Sequence, residues 1–104
     1  MSDLSQNEWA LQLKSDSKSI ILDVRTDAEV EEGMIPDAIH LDIHQGQGFI
    51  SALEELDKTN HYYVYCRSGA RSSQACSIMK QLGFTTTYNL LGGFNEWDGA
   101  TQIP

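Results

Sequence analysis

Positive charge is scarce in this chain, with 7 Lys and Arg against 15 Asp and Glu and a formal net charge of −8. Such a surface repels phosphate backbones, which excludes nucleic acid as an expected partner. Cysteine is scarcer still: Cys66 and Cys76 match neither a disulfide framework nor a Cys-x-x-Cys redox pair. Of the three histidines, only His40 and His44 are close enough in sequence to form a metal pair. They fall where a strand end and loop are expected, so no metal site is expected. No apolar run approaches the roughly 20 residues that a membrane span requires. The N-terminal stretch "MSDLSQNEWALQLK" has no basic start and no apolar core that would mark it for secretion. The expectation is one domain over residues 1–104, with no membrane contact and a cytoplasmic location.

What is present is a regular alternation of short apolar runs and helical patterns. Ser5 with Glu8, and Thr26 with Glu29, have the spacing of capping boxes and predict two helix starts. Gly33 can close the second helix, and Pro36 prevents it from continuing. "SIILDV" (19–24), "AIHLDI" (38–43), "HYYVY" (61–65) and "TTTYNLL" (85–91) read as strands, with a further early strand missing or reduced to residues near Met1 to Leu4. Phe49, Ile50, Leu53 and Leu56 recur at helical spacing, as do Ala75, Ile78, Met79 and Leu82 before Gly83. After Gly92 and Gly93, a short helix carries Phe94 and Trp97. Strands alternating with helices at these intervals imply right-handed βαβ units and a mostly parallel sheet covered on both faces, so the fold class is α/β.

Ligands in open parallel sheets bind beyond the carboxyl ends of the strands, and both Cys66 and Asp23 fall at such ends. Cys66 opens the stretch "CRSGARS", in which two of the few cations, Arg67 and Arg71, flank a turn of small residues. A free thiol, with a pKa of roughly 8.5, needs help to ionise at neutral pH. Three contributions coincide here: the N-terminus of the following helix, the successive amides of the turn, and the arginine charges. Small side chains at Ser68, Gly69 and Ala70 let the backbone curl around one anionic atom. Ser72 and Ser73 either cap the helix or point hydroxyls into the pocket. Cys76 lies within the helical apolar stripe, where a buried, inert thiol is expected.

"CRSGARS" resembles the active-site loop of single-domain rhodanese-like sulfurtransferases. "ILDVRTDAEVEEGMIPDAIHLDI" is similar to the upstream signature of that family, and "LLGGFNEWDGA" to its closing segment, so the resemblance spans roughly residues 3–100. Two departures occur in the Gly-x-Ile-Pro turn, where Met34 and Asp37 stand in place of the commoner histidine and glycine. The resemblance implies a twisted parallel sheet of four or five strands with helices on both faces, and a double displacement without cofactor. In it, Cys66 takes the outer sulfur of thiosulfate or a related donor as a persulfide and passes it to cyanide or a thiol. Arg67 is expected to attract the dianionic donor, while the loop Ser68, Gly69, Ala70, Arg71 and Ser72 binds the transferred sulfur. Arg71 is expected to pair with Asp23, and Arg25 to tie its own turn together through Glu29. A non-catalytic relay module fed by a protein partner is a second reading. Cysteine-dependent phosphatases and arsenate reductases form a third, but phosphatases need five residues between cysteine and arginine, and Cys66 and Arg71 enclose four.

Overall fold

The computed structural model describes residues 2–104. The chain runs through β1 (Ser2–Leu4), α1 (Gln6–Ser15), β2 (Ser19–Asp23), α2 (Asp27–Glu31), β3 (Ile39–His40), α3 (Gln47–Glu54), β4 (His61–Tyr65), α4 (Ala70–Gln81), β5 (Thr86–Leu90) and α5 (Gly93–Glu96). All five strands pair in parallel, in the order β1-β5-β4-β2-β3. The early strand is therefore present and gives the sheet its fifth member, pairing Ser2–Leu4 with Tyr88–Leu90.

Both capping boxes form. The Ser5 and Thr26 side chains accept from the amides of Glu8 and Glu29, whose carboxylates return the bond to the cap amides. The third strand is shorter than the sequence pattern predicts. After His40, Leu41 N–H still donates to the Asp23 carbonyl at 2.9 Å, but Asp42 then captures the amide of His44 and turns the chain into a 3₁₀ turn over Ile43–Gln45. Local side-chain capture of the backbone ends the ladder before the apolar pattern does. At Asp37 the backbone takes φ +68°, so the turn keeps a left-handed residue where the family commonly has glycine.

The strands at the centre of the sheet are two-sided. On one face, Leu22, Val24, Tyr62, Val64 and Cys66 pack with residues of α3 and α4, including Phe49, Leu53, Ala75 and Met79. On the other, Tyr63 and Tyr65 meet Trp9 edge-on, with ring centroids 5.7 and 6.3 Å apart, alongside Ile35 and Leu90. Complete burial of one such aromatic side chain contributes roughly 1.5–3 kcal/mol. Cys66 therefore emerges on the α4 side and Tyr65 on the Trp9 side, which decides what each can reach. No helix among the described residues is long and apolar enough to cross a membrane.

Candidate active site

β4 delivers Cys66 to the sheet's carboxyl edge with no exposed surface. Gly69, at φ +106°, precedes α4 and turns its amide onto Cys66 Sγ at 3.1 Å. The Ser72 hydroxyl lies 3.4 Å from the same sulfur. Burial alone would raise the thiol pKa, but the Ser72 hydroxyl and the amides of Ser72, Gly69 and Ser68 outweigh it and bring Cys66 below the ordinary thiol value. α4 has no side-chain cap, so Ser72 resolves as a pocket hydroxyl rather than a helix cap. Cys76 is fully buried within α4, where desolvation pushes its thiol up to about 11.

The loop is held from outside by the segment after β5. Phe94 N–H donates to the carbonyl of Cys66 at 2.9 Å and Asn95 N–H to that of Arg67 at 3.0 Å. Gly93 packs so closely beneath them that a Cβ would sit 2.5 Å from the Arg67 carbonyl oxygen and 2.6 Å from that of Cys66. Gly93 is therefore part of the site's frame.

The two arginine pairings differ from those expected. Arg71 makes a bidentate bond to Glu29, at 2.7 and 2.8 Å, rather than to Asp23. Asp23 lies beside Tyr65 in register and accepts from its hydroxyl at 2.5 Å, on the face away from α4, where Arg71 does not reach it. Arg25 instead takes Asp23, donating to it at 2.7, 3.0 and 3.2 Å. Arg25 also donates to the Gly33 carbonyl at 2.8 Å and lies over the Phe94 ring at 4.3 Å. Its link to Glu29 is a 3.4 Å bond to the main-chain carbonyl, not to the carboxylate.

Arg71 holds the Glu29 carboxyl down to about 2, with desolvation opposing and Thr26 assisting. The expected electrostatic help from Arg71 is thus already shared with a carboxylate. Arg67 is exposed, bonded through Nε to Asn95 Oδ1 at 3.3 Å. With Arg25, Glu29, Glu32, Phe94 and Asn95, it lines a shallow depression of about 220 Å³ beside the loop. Ser68 and Ala70 are exposed at the rim. His40 and His44 point to separate partners, the Arg25 carbonyl and the Asp42 carboxylate, at 2.7 and 2.9 Å.

Two residues that the sequence reading did not single out, and one that it had assigned to a different arginine, belong to this arrangement. Tyr65 bridges Asp23 to the amide of Ile35, Asn89 bonds Ser72, and Glu29 closes on Arg71. The capping-box spacing exposed Glu29 as a helix residue, but nothing in the apolar pattern separated Tyr65 or Asn89 from ordinary strand residues.

A strand-end cysteine whose sulfur accepts from an amide and a hydroxyl at a helix start, in a five-stranded parallel sheet, is an arrangement that favours the thiolate form. The family model for the rhodanese-like domain matches residues 6–100, and the chain belongs to that family. A sulfurtransferase of Allochromatium vinosum is 40% identical over 92 residues, covering 88% of this chain and 83% of the relative. The thiosulfate sulfurtransferase GlpE of Coxiella burnetii is 35% identical over 89 residues, covering 86% and 78%. Among solved structures, a rhodanese-like domain protein from Staphylococcus aureus superposes with a TM-score of 0.86 at 28% identity, covering 100% of this chain and 99% of that one.

Proposed function

We propose that this member of the rhodanese-like sulfurtransferase family moves a sulfane sulfur from thiosulfate, or a donor of the same kind, to a thiol or cyanide through a persulfide on Cys66. In the first half-reaction the Cys66 thiolate attacks the donor's outer sulfur. A Cys66 S–S bond forms, the donor's S–S bond breaks, and sulfite leaves with the electron pair. In the second, the acceptor's anion attacks the terminal sulfur, and the Cys66 thiolate leaves. One observation carries this reading: Sγ accepts from the Gly69 amide and the Ser72 hydroxyl in a loop with only four residues between Cys66 and Arg71. Because Cys66 has no exposed surface, a small terminal atom suits it better than a tetrahedral phosphate. Arg67, exposed at the rim, supplies charge for an incoming dianion.

Intact mass after incubation with thiosulfate provides the test. The wild type is expected to gain one sulfur and Cys66→Ala none, and cyanide is expected to discharge the adduct. An adduct that neither cyanide nor small thiols remove would make the protein a relay to a protein acceptor. Turnover of an aryl phosphate that exceeds thiosulfate turnover, and that disappears in Cys66→Ser, would replace the assignment altogether.

A further inference from the structure

Behind Ser72 lies a hydrogen-bonded chain that the sulfur chemistry above does not use. Asn89, buried in β5, has its side-chain nitrogen 3.0 Å from Asp3 Oδ1 and 3.3 Å from the Gly69 carbonyl. A carboxylate and a carbonyl both only accept, so the amide nitrogen must face them and Oδ1 must face Ser72. Ser72 Oγ stands 2.5 Å from that Oδ1, 3.2 Å from the Gly69 carbonyl and 3.4 Å from Cys66 Sγ. A hydroxyl has one proton and two acceptor lone pairs. Three acceptors therefore compete for a single proton, and Asn89 holds the shortest contact.

We propose that Asn89 is a positioning residue for the nucleophile: its side-chain carbonyl holds the Ser72 proton and so governs how much of that hydroxyl reaches Cys66 Sγ. While the sulfur carries a proton, S–H can donate to Ser72 Oγ and Ser72 to Asn89, so every donor in the chain is used. Once the sulfur is an anion, the Ser72 proton is drawn from Asn89 to Sγ, and Asn89 Oδ1 loses its donor. The thiolate thus receives the Ser72 bond only by taking it from a competing acceptor. This limits how far the loop can stabilise the anion, and it keeps the sulfur basic enough to attack, since nucleophilicity falls as thiol acidity rises.

The charged and titratable groups around Cys66 are Arg71 and Cys76 from α4, Arg67 from the loop, Asp3 from β1 behind Asn89, and Glu29 from α2 on Arg71, with Asp42 acting on Arg71 from beyond β3. Replacing Asn89 by an apolar isostere changes none of these charges.

The inference rests on Cys66 being the nucleophile but not on which sulfur compound it accepts. Its test therefore uses iodoacetamide alkylation of Cys66, followed by peptide mass across pH with no sulfur donor present. Asn89→Leu is expected to lower the alkylation midpoint by about half a unit to one unit, the scale of one ordinary net hydrogen bond. Ser72→Ala is expected to raise it, and Asn89→Leu added to Ser72→Ala to move it no further. A merely structural Asn89 would loosen the cradle and raise the midpoint in both backgrounds. That result, or no shift in Asn89→Leu, would overturn the proposal. In the unmodified protein, the carbon-13 resonance of the Asn89 side-chain carbonyl is expected to titrate with the Cys66 midpoint. A resonance flat through that midpoint would overturn the proposal even if Asn89→Leu failed to fold.

Discussion

At the scale of single residues, Cys66 and Gly93 show how one atom can matter more than a whole side chain. Cys66→Ala is expected to abolish sulfur transfer while leaving the fold intact, because the thiol packs in a cluster that accepts a small apolar group. Assay and thermal melt together check this. Gly93→Ala is expected to act through the fold instead. Its Cβ would overlap the carbonyls of Cys66 and Arg67, at a φ of +57° that L-residues rarely adopt. A loss of roughly 2–3 kcal/mol in denaturant unfolding is expected, with transfer falling further because the loop is pushed off its amide supports. For Arg67→Ala, steady-state kinetics should show a higher KM for thiosulfate with turnover less affected, since the side chain sits at the rim and not on the sulfur. A loss confined to kcat would place Arg67 in the transition state instead.

At the scale of elements, α2 and α4 are joined through Glu29, which both caps its own helix and neutralises Arg71. Glu29→Gln separates the two tasks, because glutamine can close a capping box but cannot form the ion pair. The variant is expected to lose about 1 kcal/mol at neutral pH. It should also lose part of the acid sensitivity of the wild type. Glu29 titrates near 2 in the folded chain against an ordinary 4.5, so between those values the unfolded chain binds the extra proton. Its stabilisation is complete above about pH 4.5 and fades as the pH falls towards 2. Unfolding free energies measured across that interval should fall less steeply in Glu29→Gln.

Elements also mark where the sequence was readable. The capping boxes, the apolar helix stripes and the strand-end cysteine are local patterns, and each appears where it was expected. The third strand was not legible at its true length, because its end depends on Asp42 capturing a backbone amide, which apolar periodicity does not record. The arginine partners were illegible for a different reason. Choosing between Asp23 and Glu29 requires knowing which face of the sheet each side chain leaves from, and that emerges only when strands are in register. Asn89 and Tyr65 carried no signal because a buried strand hosts such residues for packing as readily as for polar contacts.

At the scale of the whole molecule, Arg25, ion-paired to Asp23 at the end of β2, fastens the segment after β2 to the segment after β5 through the Phe94 ring. Arg25 and Asp23 are 3% and 0% exposed, and the guanidinium lies against Phe94. Arg25→Ala leaves an unpaired buried carboxylate and is expected to cost about 3–5 kcal/mol in chemical denaturation. Replacing both partners by apolar residues of similar size is expected to be much milder. The overall charge acts at longer range. With a formal net charge of −8, the protein repels a dianionic donor except near the rim arginine. As the Debye length shrinks from about 30 Å at 0.01 M salt to about 8 Å at 0.15 M, kcat/KM for thiosulfate is expected to rise. A fall would mean that local attraction by Arg67 dominates the approach.

The two-sidedness of β4 sets a limit on how this chain can vary. Tyrosines stand on both of its faces, so a one-residue insertion within His61–Tyr65 would leave the hydrophobic pattern nearly unchanged. It would nonetheless turn Cys66 towards Trp9 and send a tyrosine into the sulfur cradle. Length changes are therefore tolerable in the turn before β4 but not within it: the strand acts as a ruler whose parity, more than its composition, keeps Cys66 on the α4 side of the sheet.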